Sequence, residues 1–183
     1  AYNAGMATAE PFPPEKLVFG LLLSPQMELG PCLAELQGRF GTLDYRSRPL
    51  AFDFTSYYNA ELGAPLTRYF VSVAGLRAPD ELATVKLESN GIEQTLSEAG
   101  RRRVNIDPGM LSESRFVLAT AKPFAHRIPL SRGIYGEVTL IYEKKDFRPQ
   151  AWTYPDYASR QYRDVLCTIR ELYRSQLKPE GGA

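Results

Sequence analysis

Specialised residues are scarce in this chain of 183 residues. Its two cysteines, Cys32 and Cys167, stand far apart with no second thiol near either. That spacing excludes a disulfide framework and the Cys/His patterns of a zinc site, and a reducing cytoplasm is the expected compartment. The single histidine, His126, has no G-x-S-x-G or comparable nucleophile context beside it, so a hydrolase triad has no support. A formal net charge of +1 supplies no global field to draw the chain toward nucleic acid or an anionic membrane, so any anion recognition has to be local. The longest apolar run, Leu17 to Leu23, is interrupted by Gly20 and closed by Pro25. It falls far short of the roughly 20 residues a membrane helix needs and reads as a buried strand. No basic stretch followed by an apolar one and a cleavage site opens the chain, so no signal peptide is expected. Both G-x-x-x-x-G-K-[ST] and G-x-G-x-x-G are missing, which argues against a P-loop NTPase and a dinucleotide fingerprint.

What is present is ordinary globular material, 44% hydrophobic and 23% charged, enough for one domain with a real core. Residues 1–15 read as a flexible lead-in rich in proline, with 1–5 ahead of Met6 as an appended remnant; 16–177 form the domain and 178–183 a flexible tail. "KLVFGLLL" (16–23) predicts a central strand, since both of its faces need cover. Leu29, Cys32, Leu33, Leu36 and Phe40 predict a helix ended by Gly41. Strands are expected over 49–58 and 67–76. A second helix starts at Pro79, carries Leu82, Val85, Ile92 and Leu96 as its apolar stripe, and has a weak point at Asn90-Gly91. Short strands follow, with Asp107-Pro108-Gly109 as a turn between two of them, and a last helix is capped by Asp156. The class is α+β: a mixed or mostly antiparallel sheet with helices on one face, its first part compatible with a ferredoxin-like split unit.

Side chains two apart on a strand share a face. Asp53 with Thr55, Asn105 with Asp107 and Glu137 with Thr139 therefore form three pairs, each holding one carboxylate. If their strands are neighbours, Asp53, Asp107 and Glu137 offer hard oxygen ligands to a divalent cation that would orient phosphates. Taken singly, each pair has a plainer reading as solvated strand ends. Glu137 and Asp53 nevertheless sit among apolar neighbours, where a covered carboxylate needs a partner. Lys86, Asn90 and Glu93 lie on one helical stripe at i, i+4 and i+7, beside the apolar stripe, where a boundary ion-pair network is the ordinary reading. Lys122, His126, Arg127 and the triplet Arg101 to Arg103 are the available cations, and His126 is the candidate acid or base. Aromatic residues near basic ones, including Tyr57, Tyr58, Trp152 and Tyr154, are able to stack bases or simply to fill a core.

The segments "FDFTSYYNAELG", "RRRVNIDPGMLSESRFVLATAKPFAHRI", "GIYGEVTLIY" and "WTYPDYAS" resemble the Domain of Unknown Function 4416 family of small bacterial and archaeal proteins, over Lys16 to Leu177. By that resemblance the family pattern falls on Asp53, Thr55, Tyr57, Tyr58, Glu61 and Gly63, then on Lys86, Asn90 and Glu93. It continues through Arg103, Asn105, Asp107, Pro108 and Gly109, and through Thr120, Lys122, His126 and Arg127. It ends on Glu137, Thr139, Trp152, Tyr154, Pro155 and Asp156. Leu62 stands where methionine is expected, and Pro123-Phe124 replaces a more polar pair. Members are often labelled GTP-binding; "ATAK" (119–122) resembles the base-contacting loop of GTPases but has no phosphate loop to accompany it.

Two readings follow. In the first, Asp53, Asp107, His126 and Glu137 do the chemistry, with or without a divalent cation. A phosphorylated small molecule or nucleotide is then held by Thr55, Tyr58, Glu61, Lys86, Asn90, Glu93, Arg103, Asn105, Lys122, Arg127 and Thr139. In the second, the same charges are internal salt bridges and segments 52–58 and 152–157 form a surface for a protein or RNA partner, although the near-neutral charge disfavours nucleic acid.

Overall fold

The computed structural model describes residues 8–177; the expected remnant at 1–5 and the tail at 178–183 lie outside the described residues. The chain begins with β1 (Glu15–Leu23), α1 (Leu29–Phe40), β2 (Leu43–Arg46), β3 (Leu50–Phe52) and the short α2 (Asn59–Leu62). Next come β4 (Leu66–Arg77), a 3-10 turn at Pro79–Glu81 that leads into α3 (Leu82–Thr95), β5 (Val104–Leu111) and β6 (Arg115–Thr120). It closes with β7 (Ile128–Ser131), β8 (Ile134–Glu143), β9 (Asp146–Pro149), α4 (Pro155–Ala158) and α5 (Arg160–Leu177). Among the described residues no helix is long and apolar enough to cross a membrane.

The nine strands among the described residues join one antiparallel sheet in the order β2-β4-β1-β5-β6-β8-β7, with β3 added to β4 and β9 to β8. Within it, the run β5-β1-β4-β2 with α1 and α3 as crossover helices has the ferredoxin-like split arrangement. The strand β2 escaped the sequence reading because its alternation, Leu43-Asp44-Tyr45-Arg46, spans only four residues, three half-buried and one exposed.

β1 is apolar on both faces, and each face receives its own helices. Leu17, Phe19, Leu21 and Leu23 pack with Cys32 and Leu36 of α1 and with Leu82, Val85 and Ile92 of α3. Val18 faces the other way, into a cluster with Phe70, Tyr162, Leu166, Ile169 and Tyr173. The expectation of helices on one face therefore holds for α1 and α3 only, because α5 covers the opposite side. Each side chain fully buried in these clusters contributes roughly 1.5–3 kcal/mol.

Two local expectations are corrected by packing. Asp107-Pro108-Gly109 is not a turn: β5 runs through it, with Gly20 opposite Asp107, Phe19 opposite Pro108 and Val18 opposite Gly109. A Cβ at Gly109 would stand 2.5 Å from the Phe116 ring and 2.9 Å from the Val117 carbonyl, so glycine serves here to let β6 lie close. The strand expected over 49–58 stops at Phe52, and the chain bends before α2. Asn90-Gly91, in contrast, does not interrupt α3, whose buried stripe anchors both ends.

The sheet also divides. β5 pairs with β6 only from Gly109 to Leu111, and the next residue, Pro108, has no N–H to extend a ladder. β6 stays paired with β8 as far as Thr120. The unpaired ends of β5 and β6 leave an opening within the sheet.

Candidate functional site

A cavity of about 630 Å³ occupies that opening. Its sheet wall is Asn105 and Asp107 of β5, Leu118 to Thr120 of β6, and Glu137 of β8. α3 closes one side with Lys86, Asn90 and Glu93, which the helical repeat places on a single stripe. The bend after β3 supplies Phe54, Thr55, Tyr57 and Tyr58, and the chain entering α4 supplies Tyr154 to Tyr157. The lining thus combines six aromatic rings, those of Phe52, Phe54, Tyr57, Tyr58, Tyr154 and Tyr157, with charged side chains from the sheet, α3 and the connecting segments.

At the floor lies Arg68 of β4, 1% exposed. Its Nη1 donates to Asp107 at 3.1 Å, its Nη2 to Asp156 at 3.3 Å and its Nε to the Tyr162 hydroxyl at 3.3 Å, with the Phe52, Tyr157 and Tyr162 rings around it. Gly20 makes room for this group, because a Cβ there would be 2.7 Å from the Tyr157 hydroxyl and 3.1 Å from Nη1 of Arg68. Burial opposes the charge on Arg68, but Tyr157, Asp107, Tyr162 and Asp156 outweigh it and raise its pKa. Asp156 is shifted upward, by burial first and by Asp107 as a like charge, against the pull of Arg68. The hydroxyl of Tyr157, which lines the cavity, is buried and has no hydrogen-bond partner among the described residues.

A second network runs along the α3 side. Asn105 donates to Asp107 at 2.9 Å and accepts from Arg102 at 3.1 Å. Arg102 also reaches Glu93 at 3.0 Å and holds Glu61 through two 2.5 Å contacts. Glu93 accepts the Ile106 N–H at 2.6 Å, and burial still pushes its carboxyl above the usual range against Lys86, Ile106 and Arg102. Lys86, 8% exposed, donates to the Ile106 carbonyl at 2.8 Å. Its ammonium forms no other hydrogen bond and no ion pair among the described residues.

The third group stands at the mouth. Glu137, 2% exposed, accepts from Arg127 Nε at 2.7 Å and lies 2.9 Å from His126 Nε2, with the Thr139 hydroxyl 3.4 Å away. Arg127 also reaches the Tyr154 hydroxyl at 3.2 Å, and Lys122 reaches the Tyr57 hydroxyl at 3.0 Å over its ring. His126 lies between Phe124 and Trp152, stacked on the indole at 5.1 Å.

Ten of the residues read from the sequence line this one cavity: Thr55, Tyr58, Lys86, Asn90, Glu93, Asn105, Asp107, Lys122, Arg127 and Glu137. Five do not. Thr139 supports Glu137 from behind. His126 is also behind Glu137, its ring occupied by aromatic stacking, so it is placed to orient that carboxylate and does not face the cavity. Glu61 and Arg103 line a smaller neighbouring cavity. Asp53 is exposed: β3 ends at Phe52, the Phe52 and Phe54 rings pack edge to face, and the residue between them is left in solvent. The three strand pairs are not on adjacent strands, and Asp53, Asp107 and Glu137 form no common ligand set. Among the described residues no group of three or more His, Cys, Asp or Glu is placed to hold a metal ion.

Sequence reasoning missed Arg68 altogether. The signal was available, since Arg68 stands between Leu66 and Phe70 on one face of β4, and both of those are buried. Asp156 was read as a helix cap; Tyr154 takes the cap position of α4, and the Asp156 carboxylate turns inward to Arg68. Arg102 was seen only as part of a basic triplet, because Glu61 and Glu93, its partners, are distant in sequence.

A family model described as Domain of unknown function (DUF4416) matches residues 13–173. No curated protein and no solved structure matches the chain.

Proposed function

The chain belongs to the Domain of Unknown Function 4416 family, whose description names no reaction, and we propose that it binds a small molecule with a flat apolar body and one anionic group. The observation that carries this reading is Lys86. A buried ammonium has three donors, and the fold engages one of them. Two donors are left for ligand oxygens, with Lys122 at the mouth as a second cation that has no carboxylate in ion-pair contact among the described residues. The aromatic walls accommodate the apolar body, and about 630 Å³ suits a ligand of small-molecule size.

Charge limits the anion. The lining holds five basic residues (Arg68, Lys86, Arg102, Lys122, Arg127) and four acidic ones (Glu93, Asp107, Glu137, Asp156), a difference of one. All four carboxylates already accept from arginines. Such a lining favours a carboxylate or a phosphate monoester over a triphosphate, whose several charges would meet Glu93 and Glu137. A GTP site is the weaker reading for that reason. The exposed rings of Tyr57, Phe124, Trp152 and Tyr154 favour the second reading, a partner-binding surface around the mouth.

The test is a thermal-shift panel of aromatic carboxylates, phosphate monoesters, nucleoside monophosphates and nucleoside triphosphates, with and without magnesium. A singly anionic compound at about 100 times its dissociation constant stabilises the native state by about 2.7 kcal/mol. Lys86→Met abolishes that shift. A flat panel, or equal shifts in wild type and variant, overturns the reading.

A further inference from the structure

The smaller cavity, about 330 Å³, lies beside the first and shares Arg102 with it. Its frame is the end of β1 and the start of β5, tied by the Ser24 N–H to the Arg103 carbonyl at 2.9 Å. The residues Asn59 to Gly63, with α2 among them, close the other side. We infer that this cavity is a second, separate binding site for an oxyanion, a phosphate or carboxylate group, held by Arg101, Arg103 and the hydroxyl of Ser24.

Three observations support it. Ser24 is 5% exposed, and its hydroxyl is buried with no hydrogen-bond partner among the described residues. A buried donor left unpaired costs about 1–3 kcal/mol, and an anion oxygen would satisfy it. Arg101 is exposed, is among the residues that line the cavity, and its side chain makes no hydrogen bond or ion pair among the described residues. Arg103 is committed in part: its Nη2 donates to the Gln26 carbonyl, while its Nη1 meets Glu98 at 3.0 Å, a carboxylate 72% exposed, so that pair is weak and an incoming anion can displace it. Ser24 directly follows β1 and Arg103 directly precedes β5, and the hydrogen bond between their backbones holds these two donors side by side before the anion arrives. Glu61, the remaining carboxylate of the lining, is paired with Arg102 and makes no ion pair with Arg101 or Arg103 among the described residues.

The site is independent of the reading of the larger cavity, and one experiment separates them. Amide 15N–1H spectra of the full chain are recorded during titration with inorganic phosphate, with sodium chloride at equal ionic strength as control. The expected result is a saturable shift of the Ser24, Gln26, Arg101, Arg102 and Arg103 amides that chloride does not reproduce. Arg101→Ala and Ser24→Ala, with the remaining spectrum unchanged, each weaken it at least about fivefold, the effect of removing one hydrogen bond to a charged group. Lys86→Met leaves it unchanged. No saturable shift at these amides, or equal affinity in Arg101→Ala, overturns the inference. Shifts confined to Lys86, Asn90 and Lys122 would support the larger cavity and overturn this one.

Discussion

Lys16 and Lys86 are both buried lysines facing strand carbonyls, yet only one is completed by the fold. Lys16, 0% exposed, directs its ammonium to Asp44 at 2.6 Å, the Val73 carbonyl at 2.8 Å and Gln176 at 2.8 Å, three acceptors for three protons. Lys86, 8% exposed, has the Ile106 carbonyl at 2.8 Å and nothing else among the described residues. The first ties β1 to β2, β4 and α5, and works as a staple. The second faces the cavity, and its spare donors mark a place where something other than the chain belongs. Burial of charge alone does not separate structural from functional groups; the count of satisfied donors does.

The largest expected effect is on the staple. Lys16→Met leaves Asp44 without its cation in a mostly covered position, with Ser72 and Gln176 still donating to it. Breaking one partner of a buried pair costs about 3–5 kcal/mol, and urea unfolding should show a loss near the lower end of that range. A change below about 1 kcal/mol would end the distinction between the two lysines.

A smaller effect distinguishes the two groups by pH. Burial raises the Asp44 carboxyl, but its bonds to Lys16, Ser72 and Gln176 outweigh this and hold it below 3.8. Its contribution is present above the unfolded value and is lost as pH falls through the folded one, so Asp44→Asn should flatten the acid limb of stability. At the cavity, burial raises Asp156 above 3.8 and Glu93 above 4.5. There the sign reverses: the folded chain binds more protons than the unfolded one, and stability falls as pH rises from about 4. Asp156→Asn removes that opposing slope, so its stability should decline more steeply on acidification than that of wild type. Urea midpoints measured across acidic pH for the two variants decide it, and matching slopes would show that the carboxylates do not differ.

The smallest expected effect on stability belongs to Lys86→Met. One hydrogen bond is lost and a buried cation is replaced by an apolar chain of similar length, so stability should change by less than about 1 kcal/mol in urea. A loss as large as that of Lys16→Met would mean that Lys86 is a staple too.

The cavity was partly legible in advance because helical and strand periods are local properties. Lys86, Asn90 and Glu93 had to share a stripe, and Asn105 and Asp107 had to share a face, whatever the fold. The same logic failed at Asp53, because β3 ends at Phe52 and the strand period does not extend over Asp53 and Thr55. It failed again at Asp107-Pro108-Gly109, whose composition is that of a turn but whose neighbours on β1 and β6 hold it extended.

From the amino-acid sequence alone came the α+β class, the central place of β1, the extents of α1 and α3, and a polar set concentrated in a few segments. Those follow from short-range periodicity and from the number of faces an apolar strand must cover. Tertiary structure alone decided that Arg68 would join Asp107 to Asp156, that Arg102 would join Glu61 to Glu93, and that Lys86 would be left with donors to spare. Ion pairs and cavities are set by which distant segments meet, and here the splaying of β5 from β6 beyond Gly109 decides which side chains face one another.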